Sequence, residues 1–341
     1  RQRQMCIRDR NEMKDFFKQK KKLLLVVMLM VVTLTGCSVP RGQNGKTYVD
    51  SIITIKEETV ARKNVDFEKG SKAEKLYKDL KPDERITIKP TTFSDAMDEG
   101  WFHGIIVYPI AQLINWVANF TDAGIGIIAA TFLIQLLIFL FSIKSQVANQ
   151  RMQALQPEMQ KIQAKYAGRT DDRSKMAQAQ EMQALYSKYK INPFGTLLIT
   201  FIQFPVILGM YQATMRAYSV VTGSFAGINL AKTPIEGLKE GQIAFGVIFI
   251  LMVLFQLLSF KMPQWLQEHR KKKQHVKEKK YAEPKKQPGM MGSMNMMMYM
   301  STAMIAIFAI NWPLGMSFYW LVNSIVRVGQ NLLIHKCFIK D

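Results

Sequence analysis

The sequence predicts an all-α membrane protein, and three observations lead to this fold class. Hydrophobic residues make up 48% of the 341 residues and charged residues only 21%, and the two kinds are segregated along the chain. Several apolar runs reach about 20 residues, the length of helix that crosses a bilayer. The formal net charge of +20 is concentrated between those runs, which is typical of a protein at an anionic membrane surface. Three widely spaced cysteines exclude a disulfide-stapled secreted domain.

The N-terminal region has the pattern of a processing signal. Residues 1–12 fit nothing that follows, so we expect them to be an artefact preceding a start at Met13. Residues 13–36 form a basic stretch and then an apolar one, as in a signal peptide. The Leu-Thr-Gly-Cys string that ends at Cys37 resembles a bacterial lipobox, which implies cleavage before Cys37 and a diacylglyceryl anchor on its thiol, with fatty acyl chains such as palmitate. An uncleaved signal anchor is the alternative, and both place Cys37 outside the cytoplasm.

Five later segments are predicted to span the membrane. They are 124–143, 194–212, 243–261, 295–311 and 314–334.

The direction of these spans follows from the basic residues in their connections. Segments 144–193 and 262–294 each carry nine Lys and Arg, so we expect both to lie in the cytoplasm together with the tail 335–341. The segment 37–103 and the loop 213–242 then lie outside. The sequence therefore predicts a multi-pass protein of the bacterial plasma membrane with its lipid-anchored N-terminus outside. We expect the polar, charge-balanced segment 37–103 to be an extended or helical tether.

Residues 104–123 are predicted to form an amphipathic helix on the outer membrane surface. A sixth span is the alternative, but it would place the basic connection 144–193 outside. The apolar face consists of Ile106, Ile110, Leu113, Ile114 and Val117. The polar face consists of Gln112, Asn115 and Asn119.

The connection 144–193 is predicted to be a helical hairpin. Apolar residues from Met152 to Tyr166 are spaced three and four apart, as in a packed helix pair. Gly168 should end the first helix, and Asp171 should cap the second. This hairpin is either a soluble linker or a docking arm for a partner or client, and the sequence does not separate the two.

Polar side chains inside the apolar segments are the candidate functional residues. They are Thr131, Gln135, Thr200, Gln203, Ser317 and Trp320. An unpaired amide in hydrocarbon costs several kcal/mol, so these groups should face protein or water. These side chains either form hydrogen bonds between helices or line a concave, water-filled surface. Each of the two Gln has a Thr nearby on the same helix face, which favours the water-filled surface. Arg327, near the cytoplasmic end, should snorkel. No catalytic or metal-ligating pattern is apparent, so we expect neither an enzyme nor a cofactor.

Four strings resemble the YidC/Oxa/Alb membrane insertase family, specifically its Gram-positive lipoprotein type. They are YPIAQLINWVANF, MQALQPEMQKIQAKY, INPFGTLLITFIQFPVILGMYQA and PLGMSFYWLVNSI. The resemblance implies five transmembrane helices around a hydrophilic groove that is open to the cytoplasm and to lipid, with nascent membrane proteins as clients. It places Gln203 and Trp320 in the groove. Many members have an arginine at the position of Gln135, and this chain does not.

The basic tract and the overall function each keep alternatives. Arg270, Lys271, Lys272 and Lys273 either lie on anionic lipid or contact ribosomal RNA. Membrane lipids, the ribosome and the Sec translocon are the further candidate partners, and no DNA partner is expected. A transporter or channel subunit, or an assembly scaffold without insertase activity, would be the alternative functions.

Overall fold

The computed structural model describes residues 40–42, 45–169, 171–189, 193–273 and 291–338. The predicted artefact, the signal peptide and Cys37 therefore lie outside the described residues. The helices are α1 (Lys72–Tyr77), α2 (Phe93–Asp98), α3 (Tyr108–Ala118), α4 (Ala123–Ala154), α5 (Gln156–Tyr166), α6 (Asp172–Lys188), α7 (Pro193–Arg216), α8 (Tyr218–Thr222), α9 (Pro234–Lys239), α10 (Ile243–Lys273), α11 (Met291–Asn311) and α12 (Leu314–Phe338). A π-helical segment, His103–Val107, leads into α3, and two short strands are β1 (Glu58–Ala61) and β2 (Arg85–Ile88).

The long helices coincide with the apolar segments of the sequence. Each of the five segments predicted to span lies within one helix, in the order α4, α7, α10, α11 and α12. Among the described residues, α4 and α10 are long and apolar enough to cross a membrane, with a mean hydropathy of 2.5 and 2.6. Helix α12 is less apolar because Asn323, Ser324, Arg327 and Gln330 interrupt it. The described residues thus form a mostly helical protein with two apolar candidate spans.

The apolar core lies at one end of the helix bundle. Ile127 of α4, Met210 of α7, Met252 of α10 and Tyr319 of α12 are all completely or almost completely buried there. We call this the sheet end, because β1 and β2 lie beside it, and we call the opposite end, which carries α5 and α6, the hairpin end. Helices α4, α10 and α12 run from the sheet end to the hairpin end, whereas α7 and α11 run back.

Helices α5 and α6 form the predicted hairpin, with the predicted ends. Gly168 has a φ of +82°, which glycine adopts without strain. Asp171 caps α6 by accepting a 2.8 Å hydrogen bond from the backbone N–H of Ser174. Polar pairs join the two helices, because the hydroxyl of Tyr166 donates to Glu181 and that of Tyr189 donates to Glu158, each at 2.8 Å. The narrow apolar seam between them buries little, so these pairs contribute to the register of the hairpin.

The segment predicted to be an extended or helical tether is instead a small folded unit. Strands β1 and β2 pair antiparallel, and β2 alternates exposed and buried residues. Val60 of β1 and Ile86 of β2 form a separate apolar core with Val49 and with Val221 of α8. The prediction was wrong because balanced charge masked a short period-two pattern. A strand pair with one buried face needs a partner surface, and here α8 supplies part of it.

The folded unit is joined to the sheet end by backbone hydrogen bonds. The N–H of Ile53 donates to the carbonyl of Arg216 at 2.7 Å, and the N–H of Tyr218 donates back to the carbonyl of Ile53 at 3.1 Å. The hydroxyl of Thr47 donates to the carbonyl of Met215 at 3.0 Å. The last turn of α7 is therefore paired directly with the N-terminal unit.

Helix α3 is amphipathic, but part of its predicted polar face is covered by protein. Asn115 is 5% exposed, and its Nδ2 donates to the carbonyl of Ile53 at 2.7 Å. Its Oδ1 accepts from both the backbone N–H and the hydroxyl of Ser219, at 3.0 and 2.9 Å. Trp116 remains exposed on the opposite side. The polar face is thus the surface that holds the N-terminal unit, because its amides donate to backbone carbonyls there.

Candidate functional site

A polar cavity of about 190 Å³ lies among α4, α7, α10 and α12, toward the hairpin end. Most of its wall is made of carboxamide side chains. The lining residues are Gln135, Ile138, Gln146, Asn149, Gln150, Gln153, Gln203, Ser259, Phe260, Pro263, Arg327, Gln330 and Asn331. Eight of these are Gln or Asn, one is a cation and none is an acid. A wall of neutral donors and acceptors can hold water or a polar chain at a depth where the rest of the bundle is apolar.

Two of the sequence-predicted site residues meet in this cavity. Gln135 of α4 is 3% exposed, and its Nε2 has no hydrogen-bond partner among the described residues. Gln203 of α7 is also nearly buried, and its Nε2 donates a long 3.5 Å bond to the hydroxyl of Tyr319. An unpaired buried amide is costly, and such groups in a native structure mark a place where water or a ligand supplies the missing bond.

Thr131, Ser317 and Trp320 are also described, and all three lie outside the cavity lining. Thr131 is fully buried, and its hydroxyl donates to the carbonyl of Ile127 one turn earlier, at 2.7 Å. Ser317 is also fully buried, with its hydroxyl 3.5 Å from the carbonyl of Ala309. Both hydroxyls therefore bond within the packed sheet end. The side chain of Thr200, on α7, lies outside the described residues.

Trp320 belongs to an aromatic cluster at the sheet end rather than to the cavity wall. Its ring stacks on that of Trp312, with centroids 5.6 Å apart and an interplanar angle of 10°. Trp312 also contacts the rings of Tyr211 at 4.2 Å and Phe308 at 5.4 Å. These large side chains pack with the buried core at the sheet end.

Another buried polar pair joins two helices without lining the cavity. The hydroxyl of Ser324 on α12 donates to Oε1 of Gln256 on α10 at 2.6 Å, and both residues are buried. This is the interhelical hydrogen bond expected of a single polar group in an apolar helix.

Arg327 faces the cavity and is its only cation among the described lining residues. The sequence predicts instead that this side chain snorkels to the cytoplasmic surface. No ion pair between Arg327 and an acid occurs within the part of the chain that the structure describes. Gln330, one turn later on α12, donates from Nε2 to the backbone carbonyl of Gln135 at 3.3 Å. This bond holds the arginine-bearing face of α12 against α4.

The sequence reasoning missed the part of the wall that α4 builds beyond the predicted span. Gln146, Asn149, Gln150 and Gln153 follow the spacing i, i+3, i+4, i+7 and lie on one helix face. All four line the cavity. In the sequence these residues form an uncharged polar stripe. The stripe follows the end of the apolar run, so it falls in the segment predicted to be the hairpin.

Gln150 joins the hairpin ends of three helices. Its Nε2 donates to the backbone carbonyl and to Oδ1 of Asn331 on α12, each at 3.3 Å. Its own carbonyl accepts from Nε2 of Gln267 on α10 at 2.8 Å. The two 3.3 Å bonds to Asn331 are long and can exchange for others of the same kind, so this part of the cavity wall is held by replaceable contacts.

A separate charged cluster lies at the sheet end. The guanidinium of Arg216 is buried and pairs with Glu99 at 2.5 Å. His103 lies nearby and is buried. Burial, followed by the charge of Arg216, lowers the pKa of His103, while Glu99 acts in the opposite direction. This cluster secures the π-helical segment to the end of α7 and takes no part in the cavity.

The structure describes only part of the basic tract. Arg270 is partly buried and Lys272 is exposed at the end of α10, whereas the side chains of Lys271 and Lys273 lie outside the described residues. No group of three or more His, Cys, Asp or Glu side chains comes together within the described ranges.

Known proteins share most of this chain. Residues 115–341 match the family model described as 60Kd inner membrane protein. The membrane protein insertase MisCA of Bacillus subtilis is 32% identical over 231 residues, which are 67% of this chain and 77% of that protein. The membrane protein insertase YidC 1 of Streptococcus pyogenes serotype M1 is 32% identical over 240 residues, 70% of this chain and 75% of that protein. The membrane protein insertase YidC 2 of Bacillus anthracis is 30% identical over 237 residues, which are 69% of this chain and 81% of that protein.

Proposed function

Because this chain belongs to the family described as 60Kd inner membrane protein, we propose a mechanism in which its cavity carries the polar part of a client across the bilayer. The protein is a membrane protein insertase, and its clients are nascent membrane proteins. Insertion makes and breaks no covalent bond, so the protein is not an enzyme. We use the word tail for the hydrophilic segment of the client that must cross the membrane.

The observation that carries this proposal is the two-sided character of α4. The side chain of Gln135 lines the cavity, and its Nε2 finds no hydrogen-bond partner in the described part of the chain. On the same stretch of helix, Phe132, Leu136 and Leu140 are between 45% and 58% exposed. An exposed apolar face of this size is favourable in lipid and costly in water. The cavity therefore offers polar groups to a tail while the surrounding helices remain solvated by hydrocarbon.

The cavity acts by shortening the apolar distance that the tail crosses. Polar and charged groups in hydrocarbon cost several kcal/mol each, which makes unassisted crossing slow. At the hairpin end, the tail exchanges water for amide partners on Gln135, Gln203 and their neighbours. It then crosses only the remaining thickness, while the apolar client helix moves into lipid. The partitioning of that helix supplies the driving force.

The packing of the sheet end favours an insertase over a transporter or channel. Trp312, Trp320, Tyr211 and Phe308 form an aromatic cluster at the sheet end. A permeation path would have to pass through this packed end. A tail that enters at the hairpin end and leaves through lipid needs no opening there.

The finer topology is also part of the proposal. All five long helices, α4, α7, α10, α11 and α12, span the membrane, with the hairpin end and the C-terminus in the cytoplasm. Cys37 is lipid-anchored outside, and the hairpin receives clients. The tract from Arg270 to Lys273 lies on anionic lipid, and ribosome or Sec translocon contact remains a separate proposal. The positive charges of the two connections support this orientation.

Reconstitution of the purified protein in liposomes tests the function. A single-span client with a polar tail should become protected from external protease when the protein alone is present. Replacing Gln135 and Gln203 together by Leu should slow insertion about tenfold at equal protein abundance, because both amide partners are lost. The matched control is Gln242→Leu, an exposed amide at the sheet end.

Each other outcome has a definite meaning. Unchanged insertion by the double variant would remove the cavity from the mechanism. Solute flux without client protection would favour a transporter or channel, and neither activity would favour an assembly scaffold.

A further inference from the structure

The cavity wall holds more amide groups than the capture of a single charged residue would require. Gln146, Asn149, Gln150 and Gln153 continue the polar face of α4 from Gln135 toward the hairpin. The 18 helical steps from Gln135 to Gln153 rise about 27 Å along the helix axis. An extended chain of about eight residues covers the same distance. The stripe is therefore long enough for a segment of polypeptide, whereas one ion pair would occupy a single turn.

We propose that this amide stripe is a binding site for the backbone of the tail, and that it recognises peptide groups without regard to side-chain sequence. The inference rests on the proposed insertase function and adds the chemical group that is bound. The carboxamide of Gln or Asn carries two N–H donors and a carbonyl acceptor, the same kinds of group that a peptide unit presents. Each wall residue can thus pair with either side of a passing peptide group.

Peptide groups are the part of every tail that most needs partners. A helix satisfies its own N–H and C=O groups, but an extended tail leaves one of each per residue unpaired. These groups have the same chemistry in acidic, neutral and basic tails. Neutral amides provide partners for them without repelling either sign of charge.

Groups without a hydrogen-bond partner line the described part of the cavity on two helices. Nε2 of Gln135 is a buried donor without a partner, and Oε1 of Gln153 is a buried acceptor without a partner, among the described residues. Pro263 of α10 lacks the N–H that would bond the carbonyl of Ser259 in a regular helix, and both residues line the cavity. Donors and acceptors are therefore both present, as pairing with a peptide group requires.

The amide bonds between helices provide the means of entry. Gln150 reaches Asn331 through bonds of 3.3 Å, which are at the long end of the range. An incoming peptide group can replace either partner with a bond of the same kind, so the number of hydrogen bonds is conserved as the tail advances. Exchange at constant bond number keeps the barrier to sliding low.

The main competing explanation assigns recognition to the charge of Arg327. That explanation predicts that loss of the stripe amides impairs acidic tails alone or no tail at all, whereas backbone recognition predicts that it impairs all tails alike. Three clients separate the two ideas. They share one apolar helix and carry tails of equal length that are rich in Gly and Ser, rich in Asn and Gln, or interspersed with Asp and Glu.

The test compares insertion of the three clients in proteoliposomes by the wild-type protein and a double variant. Gln146→Met combined with Gln153→Met removes two amides but keeps the side-chain length and the tie through Gln150. We expect insertion to fall about tenfold for all three tails alike, since two hydrogen bonds to the backbone are lost in each case. The control Gln242→Met should match the wild type for every client.

A direct measurement keeps the test valid if the double variant folds poorly. A photo-crosslinking amino acid at position 149, in an otherwise wild-type chain, should attach to the tails of all three stalled clients with similar yield. A loss confined to the acidic client, crosslinks to that client alone, or full activity of the double variant would overturn backbone recognition. Failure of the wild-type protein to insert any client would instead overturn the proposed function, together with this inference.

Discussion

Gln135 of α4 and Arg327 of α12 line the same cavity, and Gln330 ties their two helices by a 3.3 Å bond to the carbonyl of Gln135. The family resemblance places an arginine at the position of Gln135 in many members. In this chain that helix is uncharged at the site, and the single described cation of the cavity comes from the last helix instead. The position of Gln135 therefore lacks the arginine of many family members, but the cavity still has a positive charge, which Arg327 supplies.

Arg327 should determine the preference for acidic tails. Arg327→Gln should lower insertion of a client with an Asp- or Glu-containing tail by about tenfold and leave a Gly/Ser tail nearly unchanged, because only the charged tail loses a Coulomb partner. Arg327→Lys should retain most of the preference, since it keeps the charge. Protease protection in proteoliposomes measures both. An equal loss for the two tails would mean that Arg327 acts through packing alone.

Moving the cation from α12 to α4 should be tolerated better than adding a second one. Gln135→Arg places two guanidinium groups in one cavity, and their repulsion should lower the thermal stability of the single variant. Combined with Arg327→Gln, the same change restores a single cation, and stability should recover. The double-mutant cycle should thus give a favourable coupling of about 1 kcal/mol or more. Additive effects on the unfolding temperature would show that the two positions do not share an electrostatic environment.

Asn115 should be important for attachment of the N-terminal unit. Asn115→Ala removes one of the two donors to the carbonyl of Ile53 and leaves both donors of Ser219 without this acceptor, so we expect a loss of about 1–3 kcal/mol in stability. Asn119→Ala, at the exposed C-cap of the same helix, should change stability little. Thermal unfolding in detergent compares them. Hydrogen exchange in β1 and β2 should increase only in the Asn115 variant.

The burial of His103 should make stability depend on pH. Its folded-state pKa is held below the ordinary value of 6.5, chiefly by burial and then by Arg216, with Glu99 opposing. The unfolded state therefore takes up the proton first as pH falls. The stability contribution is complete above pH 6.5 and is lost as pH falls through this value toward the lower folded pKa. Protonation would place a cation beside a buried one.

Comparison of unfolding temperatures at about pH 7.5 and about pH 5.5 checks this expectation. The wild type should lose stability at the lower pH, and His103→Gln should lose less. The exposed His269 provides the control, because His269→Gln should retain the full pH dependence. Equal pH dependence in all three proteins would show that titration of His103 does not contribute.

Local sequence features determined the helices and several of their ends. Apolar runs and their period predicted segments that lie within α4, α7, α10, α11 and α12, because a helix of that length and composition satisfies its own backbone. Gly168 and Asp171 marked the hairpin turn through their own conformational and capping preferences. Such features depend on neighbours within a few residues, so no tertiary contact is needed to detect them.

Only the tertiary structure decides whether a polar side chain lies in the packed sheet end or beside the cavity. Thr131 and Gln135 share one face of α4, and the sequence treated them alike. Thr131 is fully buried in the packed sheet end, whereas Gln135, one turn later, lines the cavity. In the same way, Trp320 was drawn into the stack with Trp312, and Arg327 was turned into the cavity. Whether a polar group in an apolar helix is buried, paired or solvated is set by neighbours distant in sequence, and one chain read alone does not contain that information.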